Sequence, residues 1–174
     1  MEIRELRSSD AASYRQLRLQ ALAEWPPAFG SPVEEEREKP IEDIESFLIG
    51  TRDRKLFGAF AGSILLGIVR YSRYSGSNER HRAYVAGLYV DPGHRGQGVG
   101  RALLEKVLNE SHKDPTIRRI NLTVVSDQSK AIRLYESLGF VECGTDYEAF
   151  SARGQFFDEI LMTKKTEPGG SGNG

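Results

Sequence analysis

The sequence predicts a mixed α/β fold, with one β-sheet and helices on both of its faces. Two observations support this prediction. Apolar residues recur at helical spacing in four segments and with strand-like patterns in the others. The elements follow one another as a strand, two helices, a run of strands, and then helix, strand, helix, strand and strand. This order fits a mixed sheet better than a doubly wound parallel sheet or a sandwich.

The size and charge of the chain indicate a single domain. The chain has 174 residues, a formal charge of -1 and 39% hydrophobic residues, which is ordinary for one globular unit. We assign residues 1–165 to one domain and residues 166–174, which are rich in Gly and Ser, to a flexible tail. The near-neutral charge does not indicate nucleic acid or an anionic membrane as a partner.

Cysteine usage and targeting patterns predict a cytoplasmic protein without a metal site. The single Cys143 cannot form an intramolecular disulfide, and no Cys/His spacing indicates zinc. The most apolar stretch, residues 59–69, is shorter than the roughly 20 residues of a membrane-spanning helix. Residues 1–7 mix charged and apolar side chains and lack the pattern of a signal peptide.

The first third of the chain predicts a strand and two helices. Apolar anchors at residues 3–6 indicate a strand, and the Ser-Ser-Asp cluster at 8–10 is able to cap a helix over 11–23. Prolines within 25–32 end that helix. An acidic run then leads into a second helix around residues 41–48.

The rest of the chain alternates between strands and helices. Residues 56–61 and 64–74 predict a hairpin, and residues 82–90 predict a strand with a candidate bulge at Gly87. Strict alternation gives that strand two faces: Tyr84, Ala86, Leu88 and Val90 against Val85, Gly87 and Tyr89. The remaining predicted elements are a helix over 98–110, a strand over 117–125, a helix over 128–138, and strands over 140–147 and 155–164.

The strongest local signal is the glycine-rich segment 88–101, which connects a strand to a helix. Glycines at 96, 98 and 100 leave backbone N–H groups accessible to an anion, and the helix N-terminus adds partial positive charge. Arg95 and Arg101 add full charges, so a pyrophosphate is the expected ligand. The spacing fits neither a P-loop nor a dinucleotide-binding fingerprint. A flexible loop without a ligand is the alternative.

A second segment, residues 131–140, places Tyr135 on an amphipathic helix that ends at Gly139. Tyr135 shares one helical face with Ala131, Leu134 and Leu138. The pattern alone therefore favours a core aromatic, and a functional tyrosine is the alternative.

Together, these two segments resemble the GCN5-related N-acetyltransferase (GNAT) family. Arg95-x-x-Gly98-x-Gly100 matches the acyl-CoA signature Q/R-x-x-G-x-G/A, and residues 131–140 match the family's helix-to-strand segment. The resemblance is strong over residues 83–140. It implies a GNAT-like fold, which is a central, mostly antiparallel mixed sheet of six to seven strands with helices on both faces. It also implies acetyl-CoA as co-substrate and no metal.

The resemblance implies a role for each matched residue. The backbone of Leu88, Tyr89 and Val90 would pair with the pantetheine arm where two parallel strands separate. Tyr135 would protonate the departing thiolate, because a phenol of pKa ~10 can donate to a thiolate whose conjugate acid is near ~8.5. The pyrophosphate would be held by the amides of Arg95, Gly96, Gln97, Gly98, Val99, Gly100 and Arg101.

Two further positions are expected beside the cofactor. Gln128 stands where relatives often have Asn, which departs from the family pattern. Lys130 and Arg133 either meet the 3′-phosphate of the cofactor or face solvent.

The acceptor implied by the resemblance is a primary amine of a small molecule or of a protein, attacking acetyl-CoA directly in a ternary complex. A base must first remove a proton from the ammonium group. The candidate bases are Glu34, Glu35, Glu36, Tyr89 and Glu148. Acidic residues near the proline-rich segment hint at a cationic amine. Cys143 as a covalent acetyl carrier is a further alternative.

Two other functions stay open at this point. One is a non-catalytic acyl-CoA-binding sensor, which would keep the cofactor loop without turnover. The other is an NAD(P)-binding domain, which would be protected from unfolding by a dinucleotide and not by coenzyme A. A homodimer is the expected assembly if the chain is not monomeric.

Overall fold

The computed structural model describes residues 1–25, 33–152 and 154–166, which form a seven-stranded sheet with helices on both faces. The strand order is β1-β2-β3-β4-β5-β7-β6. The strands are β1 (Glu2–Glu5), β2 (Arg54–Ala61), β3 (Ile64–Arg73), β4 (Arg82–Val90), β5 (Arg119–Val125), β6 (Val141–Ala152) and β7 (Gln155–Lys165). The helices are α1 (Ala11–Glu24), α2 (Val33–Glu38), α3 (Ile41–Leu48), α4 (Val99–His112) and α5 (Ser129–Ser137).

This architecture confirms the predicted mixed, mostly antiparallel sheet. All neighbouring strands pair antiparallel except β4 and β5, which pair in parallel. Strand β1 lies at one edge of the sheet beside β2, where Ile3 pairs with Ala59. Among the described residues, no helix has the length and apolar character needed to cross a membrane.

Two local predictions near the N-terminus were wrong. The carboxylate of Asp10 does not cap α1; it accepts hydrogen bonds from the backbone N–H of Arg7 at 2.8 Å and from the guanidinium of Arg4 at 2.7 and 2.8 Å. The acidic run forms a separate short helix, α2, because Pro40 prevents α2 from continuing into α3.

The structure describes only part of two segments that the sequence singled out, the proline-rich segment and the tail. Residues 26–32 of the proline-rich segment and residues 167–174 of the predicted tail lie outside the described residues. Thr166, the first residue of that predicted tail, is buried, and its backbone N–H donates to the carbonyl of Arg118 at 3.1 Å.

The sheet separates two apolar cores. Helices α4 and α5 pack on one face, where the buried residues include Val85, Leu104 and Tyr135. Helices α1 and α3 pack on the other face, where they include Tyr14 and Tyr89. Each helix buries one apolar stripe against the sheet, as its periodicity predicts.

A bulge at Gly87 changes the two faces of β4. Gly87 has a φ of +64°, and the pairing with β3 shifts between Ile68, opposite Tyr89, and Arg70, opposite Ala86. The bulge was predicted, but the face assignment was wrong because it continued strict alternation through the extra residue. The structure places Leu88 and Val90 in the same core as Val85, and Tyr89 in the opposite core.

The parallel pair β4 and β5 separates soon after it begins. Pairing extends only from Arg82 opposite Arg119 to Tyr84 opposite Asn121. Beyond this point β5 stays paired with β7 as far as Val125. A gap therefore opens between the carboxyl ends of two parallel strands, which is where α/β sheets commonly bind ligands.

Candidate functional site

A cleft occupies the gap between β4 and β5. It has a small chamber of about 100 Å³ and a larger one of about 520 Å³. Leu88, Gln128 and Ala131 line both chambers, so the two are continuous. Strand β4, the N-terminus of α4 and the first turn of α5 supply most of the walls.

The cleft brings together most of the predicted cofactor residues. Tyr135 lines the small chamber. The larger chamber is lined by Leu88, Tyr89, Val90, Arg95, Gly96, Gly98, Val99, Gly100, Arg101, Gln128 and Lys130. Gln97 is not part of this lining; its side-chain amide donates to the carbonyl of Gly93 at 3.2 Å.

The N-terminus of α4 presents unpaired amides to the larger chamber. The first helical hydrogen bond runs from the N–H of Ala102 to the carbonyl of Gly98, at 3.0 Å. The N–H groups of residues 99–101 therefore have no partner within the helix. Gly98 has a φ of +81°, and a Cβ there would have no neighbour within 4 Å. This combination of left-handed backbone, open space and free amides is suited to an anion.

Both arginines of the loop form hydrogen bonds with protein groups that the sequence did not indicate. The Arg95 guanidinium donates to the two carboxylate oxygens of Glu24 at 2.6 and 2.7 Å, and its Nε donates to the carbonyl of Val90 at 3.0 Å. Arg101 donates to the Ser137 hydroxyl at 2.6 Å. The charges of these arginines are thus shared with protein partners, which leaves the backbone amides as the main anion-binding groups.

Glu24, the last residue of α1, is a site residue that the sequence did not reveal. Besides Arg95, its carboxylate accepts a hydrogen bond from the Tyr89 hydroxyl at 2.6 Å. The Arg95 hydrogen bonds hold the pKa of Glu24 below its ordinary value. Burial and the neighbouring carboxylate raise the pKa of Tyr89, so its phenol stays protonated and is a poor candidate for the base. Nothing in the local pattern around Glu24 indicates these contacts.

Helix α1 also contacts the start of the loop. The Gln20 side chain donates to the Asp91 carboxylate at 3.2 Å. The same carboxylate accepts from the N–H of Gly93 and lies 3.0 Å from the His94 ring, whose hydrogen bond lowers the pKa of Asp91. Both ends of the turn 91–95 are therefore fixed against α1.

Tyr135 is a buried core aromatic that also lines the small chamber. Its side chain is 7% exposed and its ring packs edge-on against Phe140, with 6.1 Å between centroids. Burial raises the pKa of Tyr135 to about 12. Its hydroxyl makes no hydrogen bond to any residue that the structure describes. A protonated phenol without a protein partner is thus available to a ligand in the small chamber, which Glu159 also lines.

A further cavity of about 430 Å³ lies on the opposite side of β4, between the strands and helices α1 to α3. Ala86 and Gly87 line both this cavity and the small chamber, so both spaces border the bulge. Of the acidic run, only Glu36 lines it; Glu36 is 5% exposed and pairs with Lys39 at 2.7 Å. Glu34 and Glu35 are exposed and are not part of the lining.

The other candidates for chemistry are not part of the lining of the cleft. Glu148 is exposed on β6, and Cys143 is exposed on the same strand and lines a separate groove. Neither lines either chamber. Across the described ranges, no group of three or more His, Cys, Asp and Glu side chains is arranged to hold a metal ion.

Similar proteins include acetyltransferases from several bacteria. The spermidine N(1)-acetyltransferase of Vibrio cholerae is 35% identical over 85 residues, which are 49% of this chain and 49% of that protein. The chain spans about half the length of the curated relatives it matches.

Solved structures show the same architecture. An acetyltransferase of the GNAT family from Streptococcus pneumoniae superimposes with a TM-score of 0.84 at 26% identity, covering 94% of this chain and 98% of that one. The yncA protein of Salmonella typhimurium, solved with its cofactor acetyl-CoA, gives a TM-score of 0.82 at 19% identity, covering 96% of this chain and 94% of that one. The model of the acetyltransferase (GNAT) family matches residues 16–140, most of the sequence, and the chain belongs to this family.

Proposed function

We propose that this protein transfers the acetyl group of acetyl-CoA to a primary amine, which attacks the thioester directly while both substrates are bound. Enzymes of this family use acetyl-CoA. The observation that carries the proposal is that Ala86 and Gly87 line both spaces. The cleft, with its free amides and Tyr135, and the cavity on the other side of the sheet therefore border the same short stretch of β4.

Acetyl-CoA fits the cleft on the residues present. The edge of β4 that faces the gap has no strand partner beyond Tyr84, so the backbone of Leu88 to Val90 can pair with the amide groups of pantetheine. The free amides at the start of α4 suit the pyrophosphate. Lys130, at the rim of the larger chamber, would contribute positive charge near the 3′-phosphate.

In the proposed reaction, Tyr135 donates one proton, to the leaving thiolate. A neutral amine attacks the carbonyl carbon, the C–N bond forms, and collapse of the adduct breaks the C–S bond. The thiolate takes the proton of the Tyr135 hydroxyl, and the amine loses its extra proton to a base. The tyrosinate is then reprotonated through solvent. A phenol kept protonated by burial is suited to this role.

The best-placed carboxylate for the base is Glu159 on β7. It is half-buried and lines the small chamber together with Tyr135. Glu36 lines the cavity of about 430 Å³ on the other side of β4, which we call the acceptor cavity, but it is already paired with Lys39. We therefore favour Glu159, acting through a water molecule, over the bases that the sequence suggested.

The test compares Tyr135→Phe with the native protein. We expect kcat for thiol release in the presence of an amine panel to fall at least about 100-fold, with the Kd for acetyl-CoA nearly unchanged. Tyr147→Phe is the matched control, because Tyr147 is 77% exposed and away from the cleft. Equal activity of Tyr135→Phe and the native protein would contradict the assigned role.

The same assay separates the enzyme from the sensor alternative. Tight acetyl-CoA binding, with thiol release that never exceeds background hydrolysis for any amine, would support a non-catalytic acyl-CoA sensor. The cytoplasmic location and the homodimer stay predictions of the sequence.

A further inference from the structure

Arg70 occupies a central position in the acceptor cavity. It lies on β3 directly opposite Ala86, a residue that lines both this cavity and the small chamber of the cleft. Directly opposed residues in a sheet have Cβ atoms about 5 Å apart. The side chain of Arg70 therefore starts beside the point where the acceptor amine must reach the thioester.

The guanidinium of Arg70 is not satisfied by the protein. It makes no ion pair with any carboxylate of residues 1–25, 33–152 or 154–166, and its Nε is enclosed with no hydrogen-bond partner. The guanidinium carbon lies 5.7 Å from the centroid of the Tyr84 ring, which supplies no hydrogen-bond acceptor oxygen to the Nε. A guanidinium has five N–H donors in a planar fork that matches a carboxylate. An enclosed donor without a partner is unfavourable unless a ligand supplies the acceptor.

The carboxylates that line the cavity are not paired with Arg70. Glu36 forms an ion pair with Lys39 at 2.7 Å. Asp43 is exposed at the rim and makes no ion pair with Arg70. Arg70 itself is half-buried, so its charge is available to a ligand in the cavity.

We propose that Arg70 binds an anionic group of the acceptor, and that the acceptor is a small amino acid whose amine and carboxylate lie close together. This inference rests on the proposed function. The carboxylate would sit on Arg70 and the amine at Ala86, next to the thioester. The apolar part of the cavity fits an apolar side chain; it is lined by Ile44, Phe47, Leu56 and Ile68.

The charge of Arg70 also favours the reactive form of such an acceptor. A nearby guanidinium disfavours a second positive charge, so it lowers the pKa of the incoming ammonium group. A polyamine would meet like charge here and gain no partner for Arg70. The same holds for a peptide N-terminus, which lacks a carboxylate beside its amine.

The test uses three acceptors that differ at one position: L-leucine, L-leucinamide and 3-methylbutylamine. We expect the native protein to use leucine with a kcat/KM at least about tenfold above that of leucinamide. Arg70→Gln should abolish this preference, mainly through the KM for leucine, and Arg70→Lys should restore part of it. Arg82→Gln is the control, because Arg82 lines the groove on the other side of Ala86 and should leave the preference intact. The series is repeated with methionine and phenylalanine.

Two results would overturn the inference. One is a native protein that uses the amides as well as the free amino acids in all three series. The other is an Arg70→Gln variant that slows all acceptors equally.

A binding measurement keeps this inference separate from the proposed function. N-acetyl-L-leucine and N-acetyl-L-leucinamide are titrated calorimetrically into the protein with coenzyme A, which requires no turnover. Tighter binding of the acid, lost in Arg70→Gln, supports the anion subsite even if no thiol is ever released. Equal binding of the two compounds overturns it even if other amines are acetylated.

Discussion

The two sides of the gap between β4 and β5 are built in different ways. The cofactor side comes largely from one continuous segment, residues 88–101, whose backbone conformation places free amides at the start of α4. The acceptor side is assembled from three helices and three strands that are distant in the sequence. The free amides at the start of α4 are therefore visible in a local motif, whereas the charge of the cavity on the other side of β4 depends on which distant side chains meet.

The largest expected effect concerns the backbone of the glycine-rich loop, residues 88–101. Gly98→Val should weaken acetyl-CoA binding roughly ten- to 100-fold, because a β-branched residue is strained at a φ of +81° and its side chain enters the open space before the amides. Calorimetric titration measures the Kd. Gly62→Val is the matched control, since Gly62 also has a positive φ, +58°, with open space around it, in a remote turn. Equal loss of affinity in both variants would show that general strain, and not the loop, is responsible.

A smaller effect should follow from removing the ion pair between Glu24 on α1 and Arg95 in the glycine-rich loop. Glu24→Gln removes the ion pair with Arg95, which is partly exposed, and should lower the Tm by about 2 °C at pH 7. The pKa of Glu24 is lowered in the folded protein, so its stabilisation is present above the unfolded pKa and is lost as the pH falls through the folded pKa. The Tm difference should shrink as the pH is lowered into the acid range. Glu105→Gln, which removes a looser pair at 3.6 Å with Arg101, should shift the Tm less; a Tm difference that stays constant as the pH falls would contradict this account.

The pH profile of kcat tests the environment of Tyr135. Because burial raises its pKa to about 12, the phenol stays protonated and kcat, with saturating acceptor, should stay level up to pH 10. A tyrosine with the ordinary pKa of about 10 would instead lose half of kcat at pH 10. Steady-state rates between pH 7 and 10.5 distinguish these cases, provided that circular dichroism shows the protein folded throughout.

The smallest effect concerns the arginine side chain at the helix start. Arg101→Ala should change the Kd for acetyl-CoA less than about threefold, because its guanidinium is already bound to Ser137 and near Glu105. The backbone N–H at this position is kept in the variant. A loss as large as that of Gly98→Val would show that side-chain charge, and not the amides, dominates pyrophosphate binding.

Local pattern was sufficient for much of the fold and for most of the residues that line the cleft. The strands, α1, α3, α4 and α5 follow from periodicity and from glycine and proline positions. The faces of β4 were assigned wrongly because an extra residue at Gly87 shifts all later side chains to the other face. The helix α2 was missed because six residues are too few to establish a period.

The partners of charged residues could not be predicted. The acidic run suggested a cationic acceptor, yet only Glu36 reaches the cavity and Lys39 compensates it. Glu24 and Arg95 are 71 positions apart, and no local signal connects them. Arg70 is an ordinary strand residue in the sequence, and its unpaired guanidinium is apparent only when its surroundings are known.

The sequence by itself determined the fold class, the family resemblance and the glycine-rich loop, since these depend on backbone conformation and on residues close together in the chain. The tertiary structure decided which charges pair, which residues line each space and which arginine Nε faces the cavity on β4 without a partner. The physical reason is that backbone geometry is set by neighbouring residues. The electrostatics of a cavity is instead set by groups that folding brings within a few ångströms of one another.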